Sequence, residues 1–213
     1  MYMPEINEYR QNLQPLIISE ADRLFRQKGI KSVTMEEISK NLHISKRTIY
    51  ELYTNKEEIL VEVLRNLISS NKRYLEEFSK KCNSVMDIIF ETFRLQLQTI
   101  LTTNPNFYYD IEKYPKALQI LDELHEEERA ASTDFFQKGI SEGYFISDID
   151  FNVFMHLVSV TKDALRTAHL LKRFTLNEIT YNYLCVCTRG ICTQKGIAMF
   201  DEFLSNYKKK VEG

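Results

Sequence analysis

Lys46, Arg47, Thr48 and Tyr50 stand together in the stretch Ser45 to Leu52, SKRTIYEL. Their ammonium, guanidinium and hydroxyl groups are the donors that bind phosphate oxygens and the edges of nucleic-acid bases. From Lys40 to Lys56 there are four basic residues (Lys40, Lys46, Arg47 and Lys56) and one acidic residue, Glu51. The same pattern suits a solvated helix face, so charge alone does not decide between the two. Catalytic chemistry has little support. The four histidines (His43, His125, His156 and His169) form no constellation, and the chain has no phosphate-binding glycine loop and no nucleophile elbow. Cys82, Cys185, Cys187 and Cys192 lack the repeated Cys-x2-4-Cys spacing of a zinc site. On a helix Cys185 and Cys187 would point in different directions, which favours reduced, half-buried thiols and leaves a redox-sensing role open. We therefore expect no metal and no cofactor.

The elements that must position the basic cluster follow from capping chemistry. Thr34 is followed three residues later by Glu37, the spacing of a capping box, so a helix is predicted to start near Met35. Met35, Ile38 and Leu42 form its apolar stripe, and His43 and Ile44 break the pattern. Ser45 is a good N-cap for a second short helix over Lys46 to Leu52 or Tyr53. In that helix Ile49 and Tyr53 face the core, which leaves Lys46, Arg47, Thr48 and Tyr50 on another surface. Asn55 caps a longer helix, with Glu57 and Glu58 in the first turn where the helix dipole favours carboxylates. Its apolar positions Ile59, Leu60, Val63, Leu64, Leu67 and Ile68 run on toward Phe78. Two short helices joined by a tight turn, the second of them basic, have the layout of a helix-turn-helix DNA reader. Upstream, Leu13, Leu16, Ile17, Ala21, Leu24 and Phe25 make an amphipathic stripe that should end at Gly29. Pro15 suggests that regular helix begins about there, with Met1 to Leu13 as a loose or partly helical arm.

Ala21, Leu24, Phe25, Gly29, Thr34, Ile38, Leu42, Ile44, Ser45, Ile49, Tyr50, Tyr53, Lys56, Glu57 and Leu60 stand where the TetR family of bacterial transcriptional regulators carries its N-terminal signature. The resemblance covers Leu16 to Val63 and fixes many positions across three helices. It implies an all-α homodimer with a helix-turn-helix domain over residues 1–56 and a helical ligand-binding and dimerisation domain over residues 57–213. It further implies that Thr34 touches phosphate at the start of helix 2, that Ser45, Lys46, Arg47, Thr48 and Tyr50 face the major groove of a palindromic operator, and that Lys56 meets phosphate at the start of helix 4. Two features depart from the family pattern. Leu42 and His43 stand where a small residue and Gly are frequent, and Arg47 replaces a frequent Gly in the first turn of helix 3. Arg47 could add a bidentate guanine contact, worth ~1–3 kcal/mol of discrimination, or a phosphate contact without sequence information. Glu51 could accept from cytosine or pair with Lys46 or Arg47 on its own helix, and we favour the pairing.

The chain has 213 residues, 44% hydrophobic and 27% charged, with 4 Pro and 6 Gly, which suits a helical protein with a substantial core. Its net charge of −2 does not advertise a polyanion binder, so the basic face must be local. Met1 to Lys56 holds nine basic and seven acidic residues, against nineteen and twenty-three in the remainder. With a polar N-terminus and no apolar run of spanning length, a cytoplasmic protein without membrane segments is expected.

Further helices are predicted at Val85 to Thr103, Phe107 to Glu112, Lys116 to Gly139 with a break near His125, Phe151 to Leu171, Leu176 to about Cys192 and Thr193 to Tyr207. Two long helices near the end offer a dimer surface. Phe154, Val158 and Leu165 from one, with Ile179, Tyr183 and Val186 from the other, would build a four-helix bundle across a twofold axis. Phe90, Phe93, Leu97, Tyr108, Tyr109, Phe136, His156 and Thr161 are candidates for a pocket that takes a small apolar or aromatic effector, although aromatic stripes more often form core. The resulting expectation is a repressor released from its operator by such an effector. The alternative is an effectorless DNA-binding adaptor whose C-terminal domain docks a protein partner.

Overall fold

The computed structural model describes residues 4–130, 132–167 and 173–212. It is built of helices: α1 (Pro4–Lys28), α2 (Met35–Asn41), α3 (Lys46–Leu52), α4 (Lys56–Ser79), α5 (Val85–Thr102), α6 (Pro105–Ile111), α7 (Pro115–Ala130), α8 (Thr133–Ser141), α9 (Phe151–Thr167), α10 (Leu176–Ile191) and α11 (Gln194–Glu212). The extended pairing among the described residues is an isolated antiparallel bridge between Phe145 and Cys192. The all-α class and the order of the elements agree with the reading of the sequence.

Several boundaries differ. The first helix does not begin at Pro15 but runs from Pro4 with Pro15 inside it. Leu13 and Ile17 flank the proline and are both buried in the same core, so packing holds the helical phase through it at the loss of one backbone hydrogen bond. The expected break near His125 lies instead before Thr133, and residue 125 is helical within α7. Nothing in the residue types around His125 stops a helix, whereas Ser132 and Thr133 favour a restart. The expected end of the ninth helix at Leu171 falls outside the described residues. The last helix extends past Tyr207 to Glu212.

The chain forms two compact units, one of residues 1–71 and 102–124, the other of residues 72–101 and 125–213. The first unit, the head, takes in α6 and the start of α7 besides the helices of the reading motif. Its core joins Ile17, Ala21, Leu24 and Phe25 of α1 to Ile38, Ile49, Ile59, Leu60 and Val63, and Phe107, Ile111 and Ala117 complete it. The second unit is packed around aromatic rings. Phe93 meets Tyr181, Phe200, Phe203 and Tyr207 edge-on at centroid distances of 5.6–6.0 Å, and Phe90 stacks on Phe203 at 4.5 Å. A further stack pairs Phe136 with Phe151 at 4.2 Å. Such contacts contribute beyond their buried area and fix ring orientation.

Two backbone positions in the head require left-handed φ. Gly29 has φ 81° and closes α1, its N–H donating to the Phe25 carbonyl at 2.9 Å. A side chain there would bring its Cβ to 2.7 Å from Cβ of Asn106, so glycine also permits α6 to approach. His43 has φ 53° in the turn between α2 and α3, the position where the family pattern carries Gly. The turn thus holds a histidine at left-handed φ, at a cost of roughly 1 kcal/mol in backbone energy. His43→Gly is expected to raise the stability of the head by at most about 0.5 kcal/mol, because relief of the backbone cost is largely offset by glycine's larger unfolded-state entropy. The measurement is thermal or urea unfolding, and a lower midpoint for the variant would show that the imidazole itself holds the turn.

Candidate nucleic-acid interface

The reading helix is set by its two neighbours. Thr34 caps α2, its hydroxyl accepting from the Glu37 N–H at 3.1 Å. Half of the expected capping box forms in this way, while the Glu37 carboxylate accepts from Lys28 at the end of α1. Leu42, His43 and Ile44 then make the turn, with their N–H groups donating to Ile38, Lys40 and Ser39 carbonyls at 3.2, 3.1 and 3.0 Å. Ser45 caps α3 by accepting from the Thr48 N–H at 3.0 Å, and its hydroxyl also lies 2.8 Å from that of Thr48. Ile49 and Tyr53 are buried below, as their spacing predicts, and burial pushes the Tyr53 phenol up.

The opposite face of α3 is open. Lys46, Arg47 and Tyr50 are exposed, and the Arg47 side chain is 88% accessible. Both cations nevertheless have carboxylate partners. Lys46 donates to Glu36 on α2, and Arg47 Nε donates to Glu51 Oε1 at 2.8 Å. The bond to Glu36 raises the Lys46 pKa and lowers that of the carboxylate. Lys46 also lies 6.0 Å from the centre of the Tyr50 ring, at the outer edge of a cation–π contact. The predicted groove-facing set of Ser45, Lys46, Arg47, Thr48 and Tyr50 therefore sits on one short helix, with Thr34 exposed at the N-terminus of α2.

Lys56 is placed differently. Asn55 caps α4 by accepting from the Glu58 N–H at 3.1 Å, but the Lys56 ammonium turns inward to the segment between α1 and α2. It donates to the carbonyls of Ile30 and Val33, each at 2.7 Å, and of Lys31 at 3.3 Å. Burial pushes its pKa down, opposed by the negative charge of Asp110. Asp110 on α6 grips the same segment, its Oδ2 accepting from the Lys31 N–H at 2.7 Å while Oδ1 accepts from Lys113 at 2.9 Å. Burial alone would raise the Asp110 pKa, but the Lys31 amide and the Lys113 ammonium outweigh it and hold the carboxyl low. The chain before α6 is tied to α1 as well, through Asn104 N–H to the Arg26 carbonyl at 2.7 Å and Asn104 Nδ2 to the Gln27 carbonyl at 3.1 Å.

Sequence reasoning missed Asp110 and Glu36. Asp110 meets Lys31 across 79 positions of chain, a pairing that no local spacing announces. Glu36 meets Lys46 across ten positions and a turn, so its partner emerges only when α2 and α3 pack.

The predicted pocket residues are distributed over both units. Phe90, Phe93 and Leu97 belong to the aromatic core of the second unit, as does Phe136. His156 and Thr161 lie exposed on α9, where the Thr161 hydroxyl donates to the Leu157 carbonyl at 2.7 Å. Tyr108 packs against the core of the head, and Tyr109 is 44% exposed. Of the predicted dimer residues, Phe154 meets Phe136 and Phe151 edge-on inside its own unit. Val158, Ile179 and Tyr183 are half-buried, and the Tyr183 hydroxyl donates to the Val158 carbonyl at 2.9 Å. Val186 is 72% exposed, and the side chain of Leu165 lies outside those described. Among the described side chains of α9, the large apolar ones left in solvent are Val153, Leu157 and Val160.

The family described as "Bacterial regulatory proteins, tetR family" matches residues 17–63. An uncharacterized HTH-type transcriptional regulator, YhgD of Bacillus subtilis, is 36% identical over 62 residues, which is 29% of this chain and 32% of that protein. The HTH-type transcriptional repressor KstR2 of Mycolicibacterium smegmatis is 21% identical over 186 residues, covering 84% of this chain and 91% of its own. Among solved structures, the transcriptional regulator FadR from Bacillus subtilis in complex with stearoyl-CoA shares the fold with a TM-score of 0.56 and 18% identity, covering 83% of this chain and 98% of that one. No described helix is long and apolar enough to cross a membrane.

Lys56→Met separates two roles for the ammonium. Loss of the donor to these carbonyls is expected to destabilise the head by about 1–3 kcal/mol, read from urea unfolding. Unchanged stability with weakened DNA binding would instead identify Lys56 as a phosphate contact.

Proposed function

We propose that this chain is a DNA-binding transcriptional regulator of the TetR family, a dimeric repressor released from a palindromic operator by a small apolar effector. The observation that carries the DNA-reading part is the open face of α3, where Lys46, Arg47, Thr48 and Tyr50 surround an exposed surface while Ile49 anchors the helix from below. A helix of seven residues reads too few base pairs alone, and a twofold dimer doubles the sequence read and adds the binding energy of a second head. The apolar residues Val153, Leu157 and Val160 on α9, spaced as one helical stripe, together with Val186 on α10, support these helices as the dimer surface.

KstR2 is a transcriptional repressor, and the FadR structure holds stearoyl-CoA, whose long acyl chain supports an effector with a large apolar part here. The aromatic residues of the second unit suit that class, and Phe90, Phe93, Leu97 and Phe136 are the side chains we assign to it. A ligand among them would have to part rings that now stack on each other. Release then requires a shift between two global states with different operator affinity. Asp110 gives such a shift a handle on the reader: it holds the segment from which α2 departs, and it stands on the helix that follows α5 in the chain.

Selection from a randomised duplex pool by the full-length protein tests this reading, with a palindromic consensus as the expected result. Arg47→Ala should bind that consensus more weakly and with relaxed choice at one position of each half-site, while uniform loss on all sequences would make Arg47 a phosphate contact. A ligand that binds tightly without lowering affinity for the consensus would overturn release by effector.

A further inference from the structure

Both cations on the open face of α3 are held by carboxylates of the same head. Lys46 Nζ donates to Oε1 of Glu36, and Arg47 Nε donates to Oε1 of Glu51 at 2.8 Å. None of these side chains is buried: Lys46 and Glu36 are 59% and 64% accessible, Arg47 and Glu51 88% and 35%. Exposed pairs of this kind contribute little to stability, so neither is explained as a brace for the fold. What they change is the charge that approaching DNA meets.

A lysine or arginine that captures a phosphate releases condensed counterions, and this term supplies nearly all sequence-independent affinity. A carboxylate in contact with the cation cancels much of that gain, and it remains on the face as a like charge toward the phosphates. The loss falls on every duplex alike, because the backbone carries no sequence information. Base contacts are affected less. Arg47 gives only Nε to Glu51 among the described residues, and the two Nη groups of its planar fork can still meet O6 and N7 of a guanine. Glu51 also removes part of the rotational freedom that Arg47 would otherwise lose on binding. The net charge of −2 is consistent with a reader that does not rely on bulk attraction to DNA.

We propose that Glu36 and Glu51 are specificity-determining residues, which hold Lys46 and Arg47 on internal partners so that contact with the DNA backbone alone gains little and binding depends on base contacts. This rests on the DNA-reading role proposed above. Glu36 acts on Lys46 from the neighbouring helix, and Glu51 acts on Arg47 from one turn further along α3.

The test uses the full-length protein, Glu36→Gln, Glu51→Gln and the double variant, with fluorescence anisotropy on two probes. One probe is a duplex pool of random sequence, and the other is the duplex most enriched by the wild-type protein from that pool. Each glutamine should tighten binding to the random pool by about threefold or more and steepen the slope of log K against log salt by roughly one. The enriched duplex should gain less, so that the ratio between the two probes falls, most of all in the double variant. Unchanged random-pool affinity and slope in both single variants, with wild-type selectivity intact, would overturn this proposal alone. Equal gains on both probes would overturn it as well, since charge would then act on affinity without acting on choice. A wild-type protein that enriches no duplex would overturn the DNA-reading role and this proposal with it. Glutamine matches glutamate in size, and unfolding midpoints of the variants within error of the wild type would confirm that charge is the variable.

Discussion

The Lys56 ammonium gathers the carbonyls of Ile30, Lys31 and Val33, and the placement of the reading helix depends on that grip. Between α1 and α2 the chain makes a sharp turn in which these carbonyls have no helical partner, and buried carbonyls without donors are costly. One cation at the start of α4 answers several of them at once. Asp110 accepts from the amide of Lys31. The segment is thus held by a positive group from α4 and a negative group from α6, and the charge of Asp110 favours the protonated form of Lys56. From this fixed segment α2 departs, capped by Thr34, and the turn at His43 then sets the direction of α3. The frame of α3 is thus held by α6 as well as by α4.

Electrostatics on the reading face follow a second constraint. The protein carries slightly more acid than base, and its exposed cations on α3 are matched with Glu36 and Glu51. A surface of this kind has little long-range attraction for a polyanion, an attraction that is in any case strongly salt-dependent. The aromatic core of the second unit has the opposite character. Phe93 is contacted edge-on by four rings, a packing that is specific in geometry yet made of side chains that can rearrange as rigid plates.

Much of the head was legible along the chain because its determinants are local. Thr34, Ser45 and Asn55 accept hydrogen bonds from amides three residues on, and Gly29 ends a helix that its apolar stripe had already announced. The start of α1 was misread because Pro15 was weighed by its own chemistry, whereas Leu13 and Ile17 on either side are anchored in one core. The break after α7 was misplaced because nothing local distinguishes His125 as a stopping point. Among candidate site residues, the polar group on the open face of α3 could be found from spacing, while Glu37 was assigned half of a capping box and is taken instead by Lys28. The aromatic candidates were recognisable as apolar helix positions, but spacing cannot tell a ring that lines a pocket from one that stacks on a neighbour.

By itself the sequence determined what lies within a few residues of chain: where the capped helices of the head begin, where α1 ends, and which face of α3 is polar. These are properties of short segments, set by hydrogen-bonding caps, side-chain periodicity and backbone sterics. Only the tertiary structure decided which charges meet. Lys56 with the carbonyls between α1 and α2, Asp110 with Lys31, and Glu36 with Lys46 are pairings across turns or distant chain, and Coulomb and hydrogen-bond energies act on distance in space rather than on separation in sequence.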